Sequence, residues 1–310
     1  MPKIAVTRWI PDDAVKVLAE AGDVVVSPAD RPLTPGELHE FAAGADAVVG
    51  MLHDRLDGAL ADAAGPGLKV VANVAVGYDN VDVPALAGRG VVVTNTPGVL
   101  TDATADLAFG LLLAVTRRIG EGERLLRSRT PWSFHLGFLL GSGLQGKTLG
   151  IVGFGQIGRA VAKRAEAFGM SIVHSGRSKA GSVSFAELLA RSDVVSLHCP
   201  LTPETRHLID AAALRAMKPG AYLVNTTRGP VVDEAALADA LEAGEIAGAA
   251  LDVFEKEPDV EPRLLGRDDV VLSPHLGSAT VETRTAMAVL AARNVAAVLA
   301  GRPPLTEVKP

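Results

Sequence analysis

Six residues constrain this chain more than any others: Gly153-Phe154-Gly155-Gln156-Ile157-Gly158, which follow the apolar run Leu149-Gly150-Ile151-Val152 and precede a helical segment, 159–168. Glycines at the first, third and sixth places between a strand and a helix each have a physical use. The first permits a tight turn, the second lets the backbone approach a pyrophosphate, and the third lets helix and strand pack closely. The helix N-terminus then offers free N–H groups and a positive dipole end to the phosphates. A glycine turn used for packing alone would meet the same spacing, but the strand before and the helix after favour a dinucleotide.

The rest of the chain repeats the same unit. Short runs rich in Val and Ile alternate with Ala- and Leu-rich segments of helical length, the pattern of βα units and mostly parallel sheets, so the class is α/β. Strands are expected at 3–8, 23–27, 47–52, 69–76 and 91–95, and a second series at 148–152, 171–175, 194–198, 222–226, 249–253 and 270–273. Ser184 and Glu187 have capping-box spacing, Asp233 can cap the helix that ends near Gly244, and Gly169 sits where a C′ glycine belongs. Residues 101–118 read as a long helix, apolar on nearly every face after its first turn. With 310 residues, two domains are expected, and 48% hydrophobic against 21% charged residues excludes a disordered chain. The only cysteine, Cys199, cannot form an intrachain disulfide, and no secretory leader pattern opens the sequence, so a cytoplasmic setting is expected. The longest apolar runs fall far short of the roughly 18–20 residues of a membrane helix. A net charge of −6 argues against nucleic acid and toward a small-molecule partner.

The choice of dinucleotide rests on the next strand. An NAD site usually places an acid about 20 positions on to hold the ribose 2′-OH. From 167 to 186 there is no Asp or Glu. Instead Ser175 and Gly176 lead into Arg177, Ser178 and Lys179, a guanidinium, a hydroxyl and an ammonium suited to a 2′-phosphate. NADP(H) is therefore expected, with NAD(H) as the alternative. None of the seven histidines has zinc-ligand spacing and no nucleophile elbow is present, so no metal is expected.

Three polar residues follow late strands, where open α/β sheets place ligands: Arg228, Glu257 and His275. They stand in Thr227-Arg228-Gly229, Glu255-Lys256-Glu257-Pro258 and Pro274-His275-Leu276-Gly277-Ser278-Ala279-Thr280. Together with Val76-Gly77-Tyr78-Asp79, Asn95-Thr96-Pro97, the glycine motif, His198-Cys199-Pro200-Leu201-Thr202 and Leu251-Asp252-Val253, the chain resembles the D-2-hydroxyacid dehydrogenase family over essentially its whole length. The Ser-Gly-Arg strand ending and the Ser-Ala-Thr after Gly277 are most similar to the glyoxylate/hydroxypyruvate reductase branch.

The resemblance implies two Rossmann-like doubly wound domains: a discontinuous flavodoxin-like substrate domain, 1–98 with 283–310, and an NAD(P)-binding domain, 99–282, with the substrate cleft between them. It implies hydride transfer to a small 2-keto acid, with Arg228 binding the acid and His275 as general acid/base. Glu257 would orient the imidazole and stabilise its charged form; the formate-oxidising relatives carry Gln there. Leu52, Val76, Gly77 and Trp132 would contact substrate, Trp132 from a neighbouring subunit of a homodimer. Gln156, Ile157, Thr104, Cys199, Pro200, Thr205, Thr226, Asp252 and Gly277 would join the glycines on the cofactor, Asp252 accepting from the carboxamide. Two departures are a short 178–184 segment and the bulky His53 beside Leu52. Other 2-keto acids, or a non-catalytic dinucleotide sensor, are the alternatives.

Overall fold

The computed structural model describes residues 1–176 and 181–310. It divides into two units, Met1–Leu100 with Ser278–Pro310, and Thr101–Gly277. Residues 99–100 and 278–282 thus fall in the first unit rather than the second; Thr280 caps the last helix, its hydroxyl accepting from Thr283 N–H at 3.1 Å.

In the first unit the elements run β1 (Lys3–Val6), α1 (Asp12–Ala19), β2 (Asp23–Val26), α2 (Pro35–Ala42), β3 (Ala47–Gly50), α3 (Gly58–Ala64), β4 (Val70–Asn73), α4 (Val83–Ala87) and β5 (Val92–Thr94). The five strands form one parallel sheet in the order β2-β1-β3-β4-β5, the flavodoxin-like arrangement. One face packs on α2, α3 and α4 through Leu38, Leu60 and Leu86. The other is covered by α1 and by the chain's last helix, whose Ala288, Ala291, Ala292 and Val295 meet Ile4, Val6, Val49 and Val70. The C-terminus returns to β5, where Val308 N–H bonds to Val93 O at 2.8 Å.

The second unit begins with α5 (Thr101–Thr116) and α6 (Ile119–Arg127), which meet at Arg118 in a left-handed conformation, φ +54°. The expected single helix over 101–118 therefore stops at Thr116. Then follow β6 (Thr148–Val152), α7 (Gln156–Ala167), β7 (Ser171–Ser175), α8 (Phe185–Arg191), β8 (Val194–Leu197), α9 (Ala211–Ala216), β9 (Tyr222–Asn225), α10 (Glu234–Glu242), β10 (Gly248–Leu251) and β11 (Val270–Leu272). The last helix, α11 (Val281–Leu299), belongs to the first unit. The six strands are parallel in the order β11-β10-β9-β8-β6-β7. β7 lies on one side of β6 and β8 on the other, so the connections diverge there and open a crevice at the carboxyl ends of β6 and β8. α5 and α7 bury Phe109, Leu112, Val161 and Ala165 on one face, while α8, α9 and α10 bury Leu188, Leu214 and Leu237 on the other. Ser184 and Asp233 cap α8 and α10 as expected, but Glu187 does not close the box and instead pairs with Arg191 at 2.6 Å.

Candidate active site

The nucleotide loop grows from the end of β6. Gly153 takes φ +94°, and a Cβ there would lie 2.6 Å from the main chain of His198 and Cys199, an approach open only to glycine. A Cβ on Gly158 would lie 2.3 Å from the Gly153 carbonyl oxygen, so this glycine sets how closely α7 packs beneath the loop. Gly155 differs: a Cβ there would meet nothing within 4 Å, and no side chain caps α7 behind it. The first-turn N–H groups of α7 thus have open space beside them and no side-chain cap, as a pyrophosphate requires. At the end of β9, Thr226 Oγ1 is buried without a partner, a hydroxyl that a bound polar group would satisfy. These residues fit a nicotinamide dinucleotide.

The other expected cofactor residues divide. Ser175 gives its carbonyl to Gly153 N–H at 2.8 Å, and the Cβ position of Gly176 is 3.5 Å from Phe154 N. Gln156 is exposed and Ile157 packs against the α5–α7 core. Thr104, 5% exposed on α5, lies beside Gly277, its Oγ1 3.6 Å from that glycine's Cβ position. Cys199 is buried, its carbonyl accepting from Thr227 Oγ1 at 2.9 Å, and Pro200 is exposed. Thr205 closes its own turn, donating to Pro200 O at 2.7 Å and accepting from Thr202 N–H at 2.8 Å. Arg177, Ser178 and Lys179 lie outside the described residues.

Arg228, Glu257 and His275 follow β9, β10 and β11, at the same sheet edge as the glycine loop. His275 has φ +55°, a costly conformation for a side chain of this kind, and is held there by its N–H bonds to Asp252 O at 2.8 Å and Ser273 O at 3.1 Å. The brace is Asp252, 1% exposed, whose Oδ1 accepts from Ser273 Oγ at 2.6 Å and Leu276 N–H at 2.7 Å and whose Oδ2 accepts from Gly277 N–H at 2.8 Å. Burial pushes the Asp252 carboxyl upward, and these donors oppose it. Asp252 therefore shapes the loop that carries His275, a role the sequence did not announce. The imidazole Nδ1 lies 2.9 Å from Glu257 Oε2, while Glu257 Oε1 accepts from Phe254 N–H at 3.1 Å. A carboxylate partner puts a proton on Nδ1 and leaves Nε2 as the nitrogen for proton exchange. Arg228 Nη1 donates to Thr227 O at 2.9 Å, and its own carbonyl accepts from Asn225 Nδ2 at 3.0 Å. Next to it, a Cβ on Gly229 would stand 1.8 Å from the Phe254 carbonyl carbon, so the Arg228 turn and the Glu257 loop touch backbone to backbone.

In the first unit, Leu52 is half-buried and His53 exposed after β3. The carbonyls of Val76 and Gly77 are fixed by Asn95 Nδ2 at 2.8 Å and Asn73 Nδ2 at 3.0 Å. Asn80 Nδ2 bonds to Met51 O at 3.1 Å and Asp54 O at 3.0 Å, so Asn73 and Asn80 hold both loops. Sequence reasoning missed this pair; its one signal was an Asn ending the apolar run of β4.

Residues 109–277 match the family described as D-isomer specific 2-hydroxyacid dehydrogenase, NAD binding domain. The chain is 48% identical over 316 residues to the glyoxylate reductase of Thermococcus litoralis, across 98% of this chain and 95% of that protein. It belongs to the D-isomer specific 2-hydroxyacid dehydrogenases. As a member it is an NAD(P)-dependent oxidoreductase. Two solved structures place this dehydrogenase in the same way. A protein of Thermus thermophilus superposes with a TM-score of 0.93 at 46% identity, covering 99% of each chain. An NADPH-dependent glyoxylate/hydroxypyruvate reductase of Sinorhizobium meliloti, solved with NADP and malonate, superposes with a TM-score of 0.86 at 38% identity, covering 99% of this chain and 96% of that one. In this dehydrogenase Trp132 is 55% exposed and stacks on Phe138 with ring centres 5.7 Å apart. Among its described residues no three His, Cys, Asp or Glu side chains gather as a metal site.

Proposed function

We propose that this dehydrogenase reduces glyoxylate and hydroxypyruvate to glycolate and D-glycerate, preferring NADPH to NADH. The observation that carries the reading is the 2.9 Å contact of His275 Nδ1 with Glu257 Oε2 at the sheet edge that bears the glycine loop. The glyoxylate reductase name of the Thermococcus litoralis relative, and the NADPH dependence of the Sinorhizobium meliloti reductase, support the substrate and cofactor.

The bound nicotinamide supplies the hydride. Arg228 holds the substrate carboxylate and polarises the keto oxygen with a permanently charged, forked guanidinium. The first unit is the substrate-binding one, with the N–H groups of Val76 and Gly77 as carboxylate donors and Leu52 as a pocket residue. His275 Nε2 gives its proton to the oxygen as negative charge develops there, and takes it back in the reverse direction. Glu257 fixes the tautomer and the orientation of the ring. Gly153, Gly155 and Gly158 with Gln156 and Ile157 seat the pyrophosphate, Thr104, Thr226, Asp252 and Gly277 face the nicotinamide, and Cys199, Pro200 and Thr205 form the wall beside Gly153. Ser175, Gly176, Arg177 and Ser178 take the 2′-phosphate end, supported by the lack of any acid between 167 and 186. The enzyme works as a cytoplasmic homodimer, with Trp132 reaching the partner's substrate.

Dissociation constants for NADPH and NADH, with initial rates on both keto acids, test the reading. NADPH is expected to bind more tightly, and Arg177→Ala to weaken NADPH about 10–100-fold, the loss of a charge-assisted pair, while barely moving NADH. Tighter NADH binding, or an Arg177→Ala enzyme with unaltered NADPH affinity, would overturn the cofactor assignment.

A further inference from the structure

Behind the His275–Glu257 pair lies a carboxylate that the mechanism does not use. Glu234 opens α10 and is 5% exposed. Its Oε1 accepts from Glu255 N–H at 2.7 Å and its Oε2 from Glu261 N–H at 3.4 Å. Those two amides flank Glu257 on either side. Buried carboxylates are rare unless they have such donors, and burial together with the nearby Glu255 and Glu261 charges pushes the Glu234 carboxyl upward. A group held in that position against its own desolvation has a structural task.

The surroundings converge on the same loop. The His207 imidazole pairs with the Glu255 carboxylate, and His207 N–H bonds to Pro230 O at 2.8 Å, tying the Glu257 loop to the turn after Arg228. Arg263 pairs with Asp239 of α10 and donates to Ala235 O at 3.1 Å, anchoring the far end of the segment to the same helix. Gly229 closes the inner side through its contact with Phe254.

We propose that Glu234 is a positioning residue for the reaction: from the first turn of α10 its carboxylate holds both ends of the 255–261 loop and so keeps the Glu257 carboxylate on the His275 imidazole. The inference rests on the roles given above to Glu257 and His275. It places the geometric control of proton transfer on α10, whose capped start follows directly from the Arg228 turn. One rigid element then sets both the cation and the acid/base pair.

Steady-state kinetics with glyoxylate and NADPH on the full chain test it, using Glu234→Ala, Glu234→Gln, Glu257→Gln and the Glu234→Ala/Glu257→Gln double variant. Glu234→Ala is expected to lower kcat on the order of 10–100-fold, the cost of an acid/base group displaced by about an ångström, with the NADPH KM within about twofold of wild type. Glu234→Gln keeps an acceptor for Glu255 N–H and should recover all but about threefold. In the Glu257→Gln background the Glu234→Ala change should add less than about threefold, because two residues acting through one contact are not additive. Wild-type kcat in Glu234→Ala, a full multiplicative loss in the double variant, or an NADPH KM rising in step with the fall in kcat would overturn the proposal. Should Glu234→Ala fail to fold, Glu234→Gln alone and on Glu257→Gln carries the test: a loss that vanishes in the second background supports it, and an equal loss in both refutes it. A Glu257→Gln enzyme with wild-type kcat would instead refute the underlying reading.

Discussion

His198 illustrates how burial sets charge at the residue scale. Its N–H extends the ladder to Val152 O at 2.7 Å, and its Nε2 sits 2.8 Å from Ser196 Oγ beneath the glycine loop. Burial pushes its imidazole down to about 4. Between that value and the ordinary 6.5, the unfolded chain binds a proton there that the native chain does not, so acid favours unfolding. Stability should therefore be complete above about pH 6.5, fall as pH drops toward 4, and lose no more from this group below that; at roughly 1.4 kcal/mol per unit the loss is about 3 kcal/mol. Denaturant titrations at several pH values check it: His198→Gln should flatten the slope in that window, and parallel slopes for variant and wild type would contradict it. The adjacent Cys199 follows the same logic in the opposite direction, its thiol pushed up to about 11 by burial. A thiol so placed is a poor nucleophile at neutral pH.

Among the elements, α6 and the segment after it stand apart. α6 buries none of its residues, and Trp132, Phe134, Leu136 and Leu140 are 55, 78, 89 and 65% exposed. Apolar side chains gathered like this need a cover, and a second copy of the chain supplies it in the proposed homodimer. Sedimentation velocity should give a dimer for the wild type and a monomer for Phe134→Glu/Leu136→Glu; a monomeric wild type would refute the dimer. The elements also show what could be read beforehand. Each expected strand is present, but many extend beyond their observed carboxyl ends. At β4 the expected strand ran to Val76, whereas the ladder ends at Asn73 and Ala75 N–H turns back to Asn73 O at 2.9 Å. Val74 and Val76 have the composition of strand residues, and Val74 N–H still bonds to Gly50 O at 2.9 Å, so only the turn at Ala75 marks the end. The glycine loop was legible because its turn chemistry demands glycine at fixed places. The partnership of Glu257 and His275 was reached through family resemblance, since 18 residues separate them and no period connects them. Glu234, His207, Asn73 and Asn80 escaped notice because they work by holding distant main-chain groups, which leaves no spacing in the sequence.

At the scale of the whole molecule, the net charge of −6 gives no hint of the guanidinium that Arg228 brings to the sheet edge followed by Glu257 and His275. No helix among the described residues is long and apolar enough to cross a membrane. Two parallel sheets, one ordered like a flavodoxin and one like a dinucleotide-binding sheet, give the chain two sets of carboxyl-edge loops. One set bears Leu52, Val76 and Gly77, and the other the glycine loop, Arg228, Glu257 and His275. Proton transfer by His275 is the claim to which every other assignment is tied. Its most direct test is the rate of NADPH oxidation on adding glyoxylate, compared between wild type and His275→Ala. Turnover by the wild type and a fall of about 10²–10⁴-fold in the variant, with NADPH affinity unchanged, are expected. A wild type that leaves NADPH untouched, or a variant that turns over at the wild-type rate, would contradict it.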